Sequence, residues 1–287
     1  MAIPILKIWP NFFLKDRNEG LGSSYERAVL NLKLDDIRRS YNINSALEVP
    51  TFGFTGLSGI NSMWLAKNSV SVHLIDNDQK RLQLIEGVWH EVNLPADFRY
   101  QPKFEQLPFP DKAIDFAWNF SAMWFLDDMQ IFLKELTRVV SKVIMICVPN
   151  RSGLGYLIQK YISGTDLRKL LREEFIIPQN IVKSLTALGW QLIERNYIDC
   201  PPWPDIGMAK EDFLKKFGLG FLSPKDKSEV PFYSIMDFYT NKDRDFAQKM
   251  FKYAWLENSA PKFLKYFWAH HQFLIFTPTV DSKRRRE

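Results

Sequence analysis

The sequence predicts an α/β fold built on a mostly parallel sheet with helices on both faces, and three observations predict it. Apolar, β-branched runs at 45–49, 69–76, 114–120 and 142–149 alternate with charged stretches of helical periodicity. The first run passes through a loop bearing Gly53, Gly56 and Gly59 into the helix-like NSMWLAK. The second ends on an acid, Asp76, ahead of the charged segment DQKRLQLIEGVWHEV. Strand, loop, helix and strand in that order make the βαβ unit of a parallel sheet.

Before the first strand, SYERAVLNLKLDDIRRSY (24–41) sets apolar residues at Val29, Leu30, Leu32, Leu34 and Ile37 among charges in a helix-like pattern, with Ser24 as its N-cap. Residues 1–44 therefore read as an N-terminal helical extension, and 45–200 as the core. Within the core, 128–140 and the stretches around 155–161 and 178–188 are helical, Gly189 ends the last of them, and 190–199 is a strand. Pro201, Pro202 and Pro204 then break the rhythm. Residues 201–276 hold 18 aromatics in 76 positions, against 24 in the first 200, so 201–267 read as an inserted aromatic-rich cap. The final strand, HHQFLIFTP, lies within 268–280, and 281–287 is a basic tail.

With 46% hydrophobic and 25% charged residues in 287, the chain is an ordinary folded protein, which excludes a disordered, collagen-like or disulfide-stapled chain. Cys147 and Cys200 are too few for a disulfide framework or a metal site of their own, which points to a reducing, cytoplasmic compartment. The first 20 residues lack the basic lead-in and cleavage site of a secretion signal, and no apolar run reaches the roughly 18 residues that span a bilayer. The net charge of +5 draws +2 from the tail, so nucleic acid is not an expected partner. His73, His90, His270 and His271 show no ligand spacing, and no metal site is expected. His73 reads as a core residue, while His270 or His271, opening the last strand, could reach the cleft as a general base.

In a parallel sheet, ligands sit beyond the carboxyl ends of the strands. There the loop EVPTFGFTGLSGINS (48–62) sets three glycines at intervals of three before a helix, letting backbone N–H groups approach a ligand. Asp76 ends the next strand, where a carboxylate can accept from both hydroxyls of a ribose. Together they indicate a cofactor containing adenosine.

Over about 45–200 the sequence resembles the class I S-adenosylmethionine-dependent methyltransferases of the type 11-like group. FEQLPFPDKAIDFAWNFSAMWFLDD (104–128) is similar to that family's block of an acidic pair, Leu-Pro-Phe, an acidic turn, an Asp before a strand and a later Leu-Asp-Asp. LKELTRVVSKVIMICVPNR (133–151) is similar to its helix and fifth strand, and 190–199 and 270–278 fit its reversed sixth and seventh strands. The resemblance implies a Rossmann-like fold, S-adenosylmethionine as cofactor and methyl transfer to a small molecule by direct displacement. It implies cofactor contacts from Glu48, Gly53, Gly56, Gly59, Asp76, Asn77, Glu105 and Asn119. Asn119 and Ser121 would face the methionine side, or cap the helix that follows.

The glycine loop departs from the family pattern. Val49, Pro50, Thr51 and Phe52 follow Glu48 where glycines are usual, and Asp76 lies 28 positions after Glu48 but 17 after Gly59, so the loop is lengthened. Lys103 occupies the position aligned with the acid near adenine, leaving Phe104, Glu105 or backbone for that contact. The altered loop keeps a second reading open, a binding or scaffold protein that retains the fold without the reaction. Asn150, Trp203 and Tyr233 are candidates to face the substrate, and an aromatic cap favours an apolar or planar one. Asp199-Cys200-Pro201-Pro202-Trp203 resembles the motif with which nucleic-acid methyltransferases hold a base, but it follows the sixth strand instead of the fourth, and reads as a turn into the cap.

Overall fold

The computed structural model describes residues 5–14, 17, 19–162, 171–203 and 234–279. Helices α1 (Ile5–Leu14) and α2 (Gly20–Ser40) precede β1 (Ser45–Glu48). Then come α3 (Met63–Lys67), β2 (Ser71–Asp76), α4 (Gln79–Glu91), β3 (Asp97–Tyr100) and β4 (Ile114–Phe120). They are followed by α5 (Met129–Val139), β5 (Val140–Pro149), α6 (Leu154–Ile162), α7 (Pro178–Ala187) and β6 (Trp190–Ile198). Among the described residues between β6 and the last strand, β7 (His271–Pro278), lie four short helices, α8 (Ile235–Tyr239), α9 (Phe246–Phe251), α10 (Trp255–Ser259) and α11 (Lys262–Trp268).

The seven strands order as β3-β2-β1-β4-β5-β7-β6, with β7 antiparallel to both of its neighbours and the other pairings parallel. This is the Rossmann-like sheet expected, and the seventh strand lies between the fifth and the sixth. β3 was not marked in the sequence: DFRY is four residues long and only partly buried at the sheet edge, so it carries no apolar run.

Both faces of the sheet are covered. Leu47, Ala117, Ile144 and Leu274 pack on one side, and Ala46, Phe116, Trp118, Met145 and Cys147 on the other. Each fully buried Leu or Phe contributes about 1.5–3 kcal/mol by leaving water. Helix α2 begins earlier than predicted: Glu19 is its N-cap residue and Ser24 lies inside it, buried. Its Tyr25, Ala28, Val29 and Leu30 are buried too, because α9 and α3 pack against α2 and leave it little solvent face. No helix among the described residues is long and apolar enough to cross a membrane.

Candidate functional site

The loop after β1 is held from below by Glu48. Its carboxylate, 2% exposed with its residue, accepts from the Ser62 hydroxyl at 2.6 Å and the Ser62 N–H at 3.2 Å. Trp118 Nε1 donates to the same hydroxyl at 3.1 Å, tying β1, β4 and the start of α3 together. Burial pushes the Glu48 pKa up to about 7, opposed by the Ser62 hydrogen bonds and by Arg27.

The three glycines sit at φ +151, +135 and +68, in the left-handed region that favours glycine. A Cβ on Gly53 would collide with Phe120 O, and one on Gly56 with Glu19 Oε1. At Gly59 it would lie 2.7 Å from Ile85 Cδ1. In this conformation the space beside each glycine is thus filled by protein.

The neighbours of Gly56 come from the chain ahead of β1. Glu19 accepts from Leu57 N–H at 2.6 Å, and from Arg27 through Nε at 2.7 Å and through Nη2. Arg27 also donates to Leu57 O at 2.6 Å and to Asn61 Oδ1, with its guanidinium 3.9 Å above the Phe54 ring. A buried ion pair from α2 and its cap residue therefore occupies a backbone N–H that the sequence assigned to a ligand.

Asp76 is 0% exposed, and its two oxygens offer about four lone-pair positions. Oδ1 accepts from Asp78 N–H at 2.8 Å and Arg81 Nη2 at 2.5 Å; Oδ2 accepts from Arg81 Nε at 3.0 Å and from the Thr51 hydroxyl. All four positions are taken. Arg81 is sandwiched between Phe52, 4.1 Å from its guanidinium, and Trp9 of α1, at 5.2 Å. Arg81, Thr51 and Glu19 were not singled out in the sequence. The one local cue was a cation in the first turn of α4, where the helix dipole disfavours it, five residues after Asp76.

The remaining predicted residues scatter. Asn77 is exposed, and its Oδ1 accepts from Arg81 at 3.2 Å. Glu105 is exposed beside Lys103 at 4.0 Å, whereas Phe104 is buried among the core residues on that side of the sheet. Asn119 is fully buried and donates to Val49 O at 3.2 Å. Asn150 is 1% exposed and donates to Tyr266 O at 2.9 Å and Ala269 O at 2.8 Å, which secures the end of α11. Trp203 packs edge-on against Tyr25 and Tyr253, at 5.7 and 5.1 Å. Tyr233 lies outside the described residues. His73 is half-buried, 2.9 Å from Asp97. A hollow of about 330 Å³ between α5 and α7, lined by Gln130, Phe175, Asn180 and Lys183 among others, contains none of the predicted residues.

Four buried polar atoms around the loop lack hydrogen-bond partners: Ser58 Oγ, Asn61 Nδ2, Asn119 Oδ1 and Ser121 Oγ. All belong to the loop after β1 or to the end of β4, which meet where Gly53 abuts Phe120 and Ser121. Buried polar groups are paired in the great majority of cases, so such orphans mark places where a polar ligand would be satisfied. Ser121 is further held at φ +52, an uncommon conformation for a side-chain-bearing residue.

The Methyltransf_11 family model, a methyltransferase domain, matches residues 54–143, beginning after Glu48 and Gly53. The solved structure of the [4+2]-cyclase SpnF superposes with a TM-score of 0.51 at 15% identity, covering 88% of this chain and 81% of that one. Methyltransferases described as SAM-dependent also superpose. The one from Aquifex aeolicus does so at 0.43 and 17% identity over 59% and 91% of the two chains. That from Archaeoglobus fulgidus does so at 0.47 and 15% identity over 86% and 94%. These likenesses are of fold. No curated protein matches the chain.

Proposed function

We propose that the chain, whose residues 54–143 match the model of a methyltransferase domain, is an S-adenosylmethionine-dependent methyltransferase that binds its cofactor beyond β1, β2 and β4 and methylates a small molecule. The observation that carries this reading is that polar atoms of Ser58, Asn61, Asn119 and Ser121, in the loop after β1 and at the end of β4, are buried without partners. Their donors and acceptors suit the amino, carboxylate and hydroxyl groups of that cofactor.

When bound, the cofactor supplies an electrophilic methyl on a sulfonium, transferred in line to a nucleophile. The chain's part is to position and to exclude water. Glu48, Ser62 and Trp118 set the loop's foot, Asn119 fixes Val49 O at the end of β1, and the buried loop keeps solvent away. Ribose recognition by Asp76 requires Thr51 or Arg81 to release one of its oxygens. Trp203, beside Tyr25 and Tyr253, supports an apolar or planar substrate under the cap, with Tyr233 and Asn150 retained as candidates. The two buried free cysteines agree with a cytoplasmic location.

A second reading, a binding protein that kept the fold without the reaction, is favoured by the saturation of Asp76 and by Glu19 seated on the loop. Calorimetric titration with S-adenosylmethionine and S-adenosylhomocysteine separates the two. The methyltransferase reading expects one site per chain, weakened about tenfold by Asn119→Leu, as loss of one buried hydrogen bond implies. Absence of binding by the unaltered, folded chain would sustain the second reading instead.

A further inference from the structure

Apart from the glycine loop, three segments distant in sequence bring ionisable groups to one buried point. Glu26 on α2, Asp199 after β6 and His271 at the start of β7 each offer an atom able to bind a metal, all within 4.8 Å of one another. His271 Nδ1 stands 2.9 Å from Glu26 Oε1 and 3.6 Å from Asp199 Oδ2. The three side chains are 3%, 7% and 4% exposed for His271, Glu26 and Asp199.

Despite this crowding, Glu26 Oε1, Asp199 Oδ1 and His271 Nδ1 have no hydrogen-bond partner of acceptable geometry. A plain imidazolium–carboxylate network would aim an N–H along the line to an oxygen. Atoms that are close but not aligned are instead what ligands of a common ion look like. Bonds of about 2.0–2.2 Å meeting at tetrahedral or octahedral angles separate two ligand atoms by about 3.0–3.4 Å, and the observed spacings bracket that range.

We propose that Glu26, Asp199 and His271 form a site for a divalent transition-metal ion, for which zinc suits the donor set. One imidazole with two carboxylates selects such an ion over calcium or magnesium. A dication would neutralise both buried carboxylates with His271 uncharged. His270 completes the support: its Nδ1 lies 2.7 Å from Asp199 Oδ2, its Nε2 3.3 Å from Trp203 O, and its N–H donates to Asp199 O at 2.9 Å. Such outer hydrogen bonds orient a metal-binding carboxylate. Asp199 is itself held at φ +64, a conformation a non-glycine residue keeps only where its surroundings impose it. The ion would fasten α2 to β6 and β7. The His271 ring lies 4.5 Å from Phe120, and Phe120 5.4 Å from Phe54 of the glycine loop. The sequence concealed this set because its members come from three separate segments. The inference does not depend on methyl transfer.

Untagged protein, stripped with a chelator and dialysed, is titrated with Zn²⁺ against a chromophoric chelator, and with Co²⁺ followed by its visible d–d bands. One ion per chain is expected. Glu26→Gln and Asp199→Asn, each checked for folding by circular dichroism and gel filtration, should weaken Zn²⁺ binding by roughly 100-fold or more. His270→Gln should cost about 10–100-fold, the usual effect of losing an outer partner. A His73→Gln/His90→Gln variant should bind as the unaltered protein does, which keeps the assignment testable if a ligand variant fails to fold. The proposal is overturned if the folded, unaltered chain takes up no stoichiometric Zn²⁺, Mn²⁺ or Fe²⁺. It is equally overturned if uptake follows His73 and His90, or persists in folded Glu26→Gln and Asp199→Asn.

Discussion

Replacing Glu19 by Ala is expected to cost about 3–5 kcal/mol of folding stability, the usual penalty for stranding one partner of a buried ion pair. The surroundings support that figure. The Glu19 and Arg27 side chains are 0% and 2% exposed, so neither charge is hydrated. Removing the carboxylate leaves Arg27 with Asn61 Oδ1, Leu57 O and the Phe54 face, which are polar or polarisable but carry no counter-charge. It also orphans Leu57 N–H, a loss typically worth about 1–3 kcal/mol. Water entering the vacated space offsets part of this, so the two effects do not add in full. The double change Glu19→Ala/Arg27→Met removes the stranded charge and should cost less than Glu19→Ala alone. Urea unfolding followed by the fluorescence of the nine tryptophans, with circular dichroism as a second probe, measures both. If the single variant loses less than about 1 kcal/mol, or the double loses as much as the single, the pair is not buried on the loop and the argument fails.

Two further outcomes concern the glycine loop and Glu257 of α10, which accepts from Cys200 N–H at 2.6 Å. Burial raises both Glu48 and Glu257 to about 7 from 4.5, so the folded state binds more protons than the unfolded one between those values. Their stabilisation is complete below about pH 4.5 and is lost as pH rises through about 7. Unfolding free energy should therefore fall between pH 5 and 8, with a smaller fall in Glu48→Gln; an unchanged slope in that variant refutes the assignment. Gly59→Ala should lower stability by about 1–3 kcal/mol with no ligand present, from a left-handed backbone and the clash with Ile85. A melting temperature equal to that of the unaltered chain would count against the packing seen at Gly59.

The Gly59 result bears on how a glycine is read. From spacing alone, Gly53, Gly56 and Gly59 are places where a ligand approaches backbone, and the positive φ of each agrees with a conformational need for glycine. What approaches is Phe120 O, Glu19 and Ile85. A Cβ-free position is legible in a sequence, but the identity of its neighbour is not. The same holds for Asp76. Its place at the end of a β-branched run was evident, yet its lone pairs are filled by Thr51 from the preceding loop and Arg81 from the following helix.

By itself the sequence determined the alternation of strands and helices, the α/β class and the place of the glycine loop. These depend on periodicity and turn chemistry, which neighbours along the chain decide. The tertiary structure alone decided that Glu19 and Arg27 sit on that loop, and that Asp76 is saturated. It alone brought Glu26, Asp199 and His271 within 4.8 Å. The physical reason is that burial, charge pairing and hydrogen-bond occupancy are properties of a point in space. Segments far apart in sequence supply them together, and no local pattern records which segments will meet.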